Sequence, residues 1–191
     1  IWIGTGNGGL NVYNPRNDTF NVFKNDKNNP ESLSSNRVIS ITEGQDGSIW
    51  VGTTNGLNQY IPNQAAFKRF ENSRYRIHSL AGNIVYSLHI DRSGGLWVGT
   101  NKGLDRFDPA TNKFIHHQSQ PGISKSLSNN QVLSIFEDSG GVLWLGTFGG
   151  GLNKYNRQQD RFAYYRHNPN DENSLSSNFI LAILAEKEDF I

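Results

Sequence analysis

Leu96-Trp97-Val98-Gly99-Thr100 is the stretch that decides the fold, because the chain contains it in four versions. The others are Ile1-Trp2-Ile3-Gly4-Thr5, Ile49-Trp50-Val51-Gly52-Thr53 and Leu143-Trp144-Leu145-Gly146-Thr147. All four tryptophans of the sequence fall in these copies, 48, 47 and 47 residues apart. A fixed period in this range, filled with short strand-like segments, points to a radial array of small sheets rather than one irregular fold.

The register extends outward from the tryptophan. A turn and a Gly-Leu pair follow each copy: Gly9-Leu10, Gly56-Leu57, Gly103-Leu104 and Gly151-Leu152. An aromatic comes three residues after the leucine, at Tyr13, Tyr60, Phe107 and Tyr155. Next comes a phenylalanine, at Phe20, Phe67, Phe114 and Phe162, and then a Ser-Leu-x-x-Asn segment ending at Asn36, Asn83, Asn130 or Asn178. Agreement at so many separated positions makes the repeat the unit of structure.

One copy reads as four strands. Val132 to Phe136 is an apolar, β-branched run, and Glu137 to Gly141 turns it. Val142 to Thr147, Gly151 to Tyr155 and Arg161 to Tyr165 follow as strands, and Arg166 to Asn173 is a polar return. The expected fold is therefore all-β: a β-propeller of four consecutive four-stranded antiparallel blades, each a repeat of about 47 residues. The chain is one propeller region, 1–191, with units at 1–36, 37–83, 84–130 and 131–178 and the start of another at 179–191. The near-continuous apolar first strands are expected to be buried on both faces. A small residue in each, at Ser40, Ser87, Ser134 and Ala182, should let the innermost strands converge. The tryptophans should fill the gaps between blades.

The chain opens on a second strand and ends just after a first one, Ile180 to Leu184. Two arrangements satisfy this phase. The ring closes by pairing Ile180–Leu184 with Ile1–Thr5, or the four blades form part of a larger propeller. The second is the expectation, since no capping sequence blunts either end. Glu186 to Ile191 stands where another tryptophan strand would begin. The missing initial methionine leaves room for a removed upstream segment.

Composition excludes several classes. With 18 basic and 17 acidic residues the net charge is +1, so no electrostatic footprint marks nucleic acid or an anionic membrane as a partner. The longest apolar run, Ile180 to Ala185, is too short to cross a bilayer. The absence of cysteine removes disulfides and thiolate metal sites.

Motifs with chemistry mostly fail on context. Gly4-Thr5-Gly6-Asn7-Gly8-Gly9 has dinucleotide-loop spacing, but Leu10-Asn11-Val12-Tyr13 alternates as a strand where a helix N-terminus is needed. His116 and His117, adjacent on a strand, point to opposite faces, and His78, His89 and His167 have no ligand spacing. Asp46, Asp91 and Asp138 lie in hairpin turns without a calcium-loop pattern. No cofactor and no metal is expected.

The string Leu-Trp-x-Gly-Thr, Gly-Leu-x-x-Tyr-x-Pro, Phe, then Ser-Leu-Ser-x-Asn-x-Val-x-x-Ile-x-Glu-Asp resembles the two-component regulator propeller repeat. It stands here at Leu143 to Tyr155 with Phe162, and at Ser126 to Asp138. Arg157 departs from the proline of Pro15, Pro62 and Pro109, and Gly44 from the acidic residue that ends a first strand. The resemblance spans the chain. It implies the extracytoplasmic input region of a bacterial hybrid histidine kinase or diguanylate cyclase, periplasmic and attached to an inner-membrane receptor in the full-length protein. The implied function is a non-catalytic, glycan-responsive sensing segment. The competing classes are a lyase or glycosidase built on a propeller, and a purely structural docking propeller. Implied partners are an oligosaccharide or other small ligand, and flanking repeats or another copy of the chain, without nucleic acid and without membrane contact by this segment itself.

A binding role needs surface that varies while the scaffold repeats. The second-to-third-strand turns and the residues entering first strands share one face near the central opening. There Arg37, Asn55, Lys102 and Gln131 are candidates to hydrogen-bond a ligand, and Phe148 and Phe179 to stack on one. No catalytic residue is assigned. The return Asn72 to His78 differs most in composition and is a candidate for protein contact.

Overall fold

The computed structural model describes residues 1–185. Four antiparallel sheets follow one another along the chain. The first has three strands, β1 (Trp2–Gly4), β2 (Leu10–Asn14) and β3 (Thr19–Phe23). The second comprises β4 (Val38–Glu43), β5 (Ile49–Thr53), β6 (Gly56–Ile61) and β7 (Ala66–Phe70), with a 3₁₀ turn at Pro62–Gln64. The third comprises β8 (Val85–Ile90), β9 (Leu96–Thr100), β10 (Gly103–Asp108) and β11 (Lys113–His117), and the fourth β12 (Val132–Glu137), β13 (Leu143–Thr147), β14 (Gly151–Asn156) and β15 (Arg161–Tyr165). Each sheet is a meander in chain order, and each tryptophan strand lies in its own sheet. The first strands of successive sheets lie side by side, so the sheets radiate as blades.

The tryptophan is the wedge between blades. Trp2 meets Tyr60 of the next blade edge-on at 4.8 Å, Trp50 meets Phe107 at 5.2 Å and Trp97 meets Tyr155 at 5.6 Å. Edge-to-face geometry suits the ring quadrupoles, and burying each indole stabilises the blade pair by roughly 2–3 kcal/mol. The glycine two residues on is required by the same approach. A Cβ at Gly52 would stand 2.6 Å from Val85 Cγ1, and one at Gly99 2.6 Å from the carbonyl of Val132. Ser40, Ser87 and Ser134 face these glycines across the β4–β5, β8–β9 and β12–β13 pairs, each beside a shift in register.

The Ser-Leu-x-x-Asn segment ties each return to the blade after it. Leu33, Leu80 and Leu127 are essentially inaccessible and enter the inter-blade cores. Asn36 Oδ1 accepts from the Asn25 amide at 2.7 Å and the Asn36 carbonyl from Gly9 at 2.9 Å, closing the loop on itself. Asn83 repeats both bonds, to Asn72 at 2.6 Å and Gly56 at 2.6 Å. Gly56 needs φ near 114°, where only glycine is unstrained.

The first blade has three strands, in keeping with a sequence that opens on a second strand: among the described residues β1 pairs only with β2. Two expectations need correction. The first strands are not buried on both faces. They are edge strands, so β4 and β12 are largely half-exposed while the interior strands β5 and β9 are buried throughout. Ile180–Leu184 forms no strand: Phe179 bridges Phe148 and Ile180 donates to the Thr147 carbonyl at 3.1 Å, but among the described residues no strand pairs with 181–184. The ring is thus not closed by the described residues. The segment Glu186–Ile191, placed by sequence at the start of a further tryptophan strand, lies outside the described residues.

Candidate functional site

The turns between second and third strands carry the variable residues to one rim. Each turn is pinned by its neighbour: Thr54 N–H donates to the Arg37 carbonyl at 3.2 Å, Asn101 to Ile84 at 3.0 Å and Phe148 to Gln131 at 3.0 Å. Asn55 is thereby set beside the entry of β4 and Phe148 beside the entry of β12. Phe148 and Phe179 meet edge-on at 4.8 Å, both about half exposed, with Gln131 alongside. The structure therefore brings three of the six candidates together, Gln131, Phe148 and Phe179. Arg37 and Asn55 form a second, exposed group. Lys102 stands between the groups, its amide spent on Thr100 Oγ1 at 3.0 Å and its carbonyl on Gln118 at 2.8 Å. The rim offers two rings able to stack on a flat ligand face and several hydrogen-bonding side chains, with no nucleophile–base pair. Among the described residues no group of three or more His, Asp or Glu side chains is placed to hold a metal.

Two polar clusters escaped the sequence reading. Asp105 is fully buried and accepts from His116 Nδ1 at 2.6 Å and from the Ala81 amide at 2.7 Å. His116 Nε2 donates in turn to the Ile77 carbonyl at 2.9 Å, so one imidazolium clamps β10 to the return from the preceding blade. Burial pushes the Asp105 carboxyl up, and the hydrogen bond to Asp105 pushes His116 above the usual imidazole range. Other copies have asparagine at this place, Asn11, Asn58 and Asn153. Asn58 and Asn153 bond a serine hydroxyl of the return, Ser34 and Ser128, where Ala81 stands in the third blade. That departure from the repeat was the available signal. His117, on the opposite face, stacks on Trp97 at 5.8 Å and packs against Tyr155.

The second cluster centres on Asp91, which is 1% exposed. Its carboxylate accepts from Ser93, Gly95 and Trp97, and from Arg157 of the next blade at 2.9 Å. Arg157 also donates to Glu137 at 2.8 Å and lies over the Trp97 ring. Burial opposes ionisation of Asp91, but the hydrogen bonds and the guanidinium outweigh it and lower its pKa to about 2. Arg157, where other copies have proline, is thus a strut between blades rather than a catalytic group.

A radial array of repeated four-stranded sheets defines this chain as a β-propeller segment. Residues 32–55, 79–102 and 126–149 match the model of the two component regulator propeller family. No curated protein matches the chain. Among solved structures, the extracellular domain of BT4673 from B. thetaiotaomicron, assigned to a hybrid two-component system, superposes with a TM-score of 0.80 at 28% identity, over 98% of this chain and 23% of that one. The extracellular domain of BT3049 from the same organism, also assigned to a hybrid two-component system, gives 0.70 at 26% identity, over 87% and 22%. A virginiamycin B lyase from Staphylococcus aureus shares the fold alone, with a TM-score of 0.60 at 13% identity over 85% of this chain and 50% of that one. The chain thus spans about a quarter of the length of the two extracellular domains it resembles.

Proposed function

We propose that the chain is a non-catalytic sensing segment of an extracytoplasmic signal-transduction receptor that responds to a glycan. The observation that carries this reading is the likeness over nearly the whole chain, at 28% identity, to the extracellular domain of a two-component system. The described residues support it from below. The repeated positions are spent on inter-blade packing and on closing the returns, whereas the rim residues vary and leave Phe148, Phe179, Arg37 and Gln131 open to a ligand. In the full-length protein the segment sits outside the inner membrane, and the output is a kinase or cyclase on the other side. Among the described residues no helix is long and apolar enough to cross a membrane.

A thermal-shift panel of neutral and acidic oligosaccharides tests the reading. A ligand that binds only the folded chain raises the transition by an amount set by its concentration over Kd, roughly 2.7 kcal/mol at a hundredfold excess. At least one glycan should give a concentration-dependent shift. No shift across the panel contradicts glycan responsiveness and favours a docking scaffold.

A further inference from the structure

A groove of about 1000 Å3 lies away from the rim, between the second and third blades. Phe70 and Phe114, both buried, form its floor, and the return from β7 to β8 forms one wall. The lining carries Arg69, Arg76, His78 and Lys113 against a single acid, Glu71. Arg69 is occupied: it donates to the carbonyls of Asn29, Ser32 and Leu33, fixing the neighbouring return. Arg76 and Lys113 are exposed and take part in no ion pair among the described residues. On the same wall Tyr75 is 87% and Ile77 81% exposed.

The fold does not ask for these side chains. The backbone of the return is the same in each blade: Arg76 N–H donates to the Ser73 carbonyl at 3.1 Å, as Asn29 does to Asp26 at 3.2 Å and Ile123 to Gln120 at 3.1 Å. Ser79 Oγ caps the Ser73 amide at 2.9 Å, as Ser32 caps Asp26 at 2.8 Å. The other returns fill this frame with turn formers, Asn28-Asn29-Pro30, Pro121-Gly122 and Pro169-Asn170. Only this one places Arg74-Tyr75-Arg76-Ile77-His78 there. Cations without partners, lying next to an unburied ring in a groove of ligand size, fit an anion that also has a flat apolar face.

We infer that this groove binds an acidic oligosaccharide, a sugar chain carrying carboxylate or sulfate groups. The inference rests on the sensing reading and gives it a site and a ligand charge. Arg76 and Lys113 pair with the anionic groups, and the Tyr75 ring takes the apolar face of a pyranose. The balanced overall charge disfavours a long polyanion such as nucleic acid, which needs an extended basic surface.

The test is calorimetric titration of the chain with sulfated and uronate hexasaccharides, a neutral hexasaccharide, and a single-stranded oligonucleotide of equal charge. The acidic sugars should bind, more weakly as salt rises. R76A/K113A should weaken them at least tenfold and Y75A several-fold, while K27A, which removes an exposed cation on the first return, leaves them unchanged. These side chains are exposed, so the circular dichroism of the variants should match that of the parent. Absence of binding by both acidic sugars overturns the inference, as does binding indifferent to R76A/K113A or equally tight binding of the oligonucleotide. Binding of the neutral sugar alone, lost in F148A/F179A, overturns the groove while leaving the sensing reading intact.

Discussion

Trp97 Nε1 donates to Asp91 Oδ2 at 2.8 Å, so the residue that follows β8 holds the indole that wedges the third blade against the fourth. Trp144 makes the same bond to Asp138 at 2.7 Å. In the second blade Gly44 takes the acid's place, and Trp50 turns instead to Ser48 Oγ at 3.0 Å. The turn that reverses the first strand and the ring that spaces the blades are one device. Removing the carboxylate at Asp91 leaves the indole N–H and one arm of Arg157 without an acceptor. Asp91→Ala should therefore cost about 2–4 kcal/mol of stability, and Asp91→Asn distinctly less. Urea denaturation measures both, and a loss below 0.5 kcal/mol for Asp91→Ala, a typical surface value, contradicts the assignment.

The second blade permits a gain of stability. A Cβ at Gly44 would stand 2.5 Å from Ser48 Oγ and 2.6 Å from Asp46 Oδ1. Gly44→Asp alone should therefore be neutral or destabilising. Gly44→Asp with Asp46→Ser and Ser48→Gly copies the third-blade turn, where Ser93 and Gly95 occupy those places, and should add about 1 kcal/mol. Equal melting temperatures for the single and triple variants would refute the shared device.

Acid and base should affect different blade contacts. The pKa of Asp91 is lowered to about 2, so its contribution is complete above the unfolded value near 3.9 and disappears as pH falls through 2. After allowance for solvent screening it amounts to about 1–2 kcal/mol. His116 has a raised pKa, so its contribution is present below the unfolded value near 6.5 and is lost as pH rises through the folded value. His89 and His117, lowered by burial, act with the opposite sign below pH 6.5 and leave the alkaline limb to His116. The urea midpoint should fall as pH rises above 6.5, and Asp105→Asn should flatten that limb. A flat alkaline limb in the parent chain contradicts the clamp.

The terminal faces predict association of the isolated chain. Ile49 and Phe67, 9% and 2% exposed, pack on the blade before them, while their counterparts Ile1 and Phe20 are 77% and 52% exposed. At the other end Tyr165 is 50% exposed beside Trp144. Apolar faces of this kind seek cover. Sedimentation at increasing concentration should show self-association, weakened by Ile1→Lys with Phe20→Lys. A concentration-independent monomer is the contrary result.

The repeat made the scaffold readable. Trp97, Gly99, Leu80 and Asn83 recur because every blade boundary poses the same packing problem, so the sequence shows their role by repetition. The strands of the fourth blade came out within a residue or two for the same reason. Features that occur once have no such signal. Asp105 and His116 face each other on adjacent strands, but the clamp depends on their reaching Ala81 and Ile77 of the preceding return, 24 and 39 residues away, and the groove beside Tyr75 depends on where a return of ordinary length lies down. Ile180–Leu184 looks like a first strand in composition, but a strand needs a partner, and none of the described residues supplies one. Of the six rim candidates, the meeting of Phe148 with Phe179 required the bridge between 148 and 179, which periodicity does not encode.

The sensing claim is tested most directly by titrating the chain with each oligosaccharide that shifts its melting transition and analysing the sugar afterwards by mass spectrometry. Saturable heat with the sugar recovered unchanged is the predicted result. Cleavage or elimination products that accumulate with protein concentration would contradict it and make the propeller an enzyme.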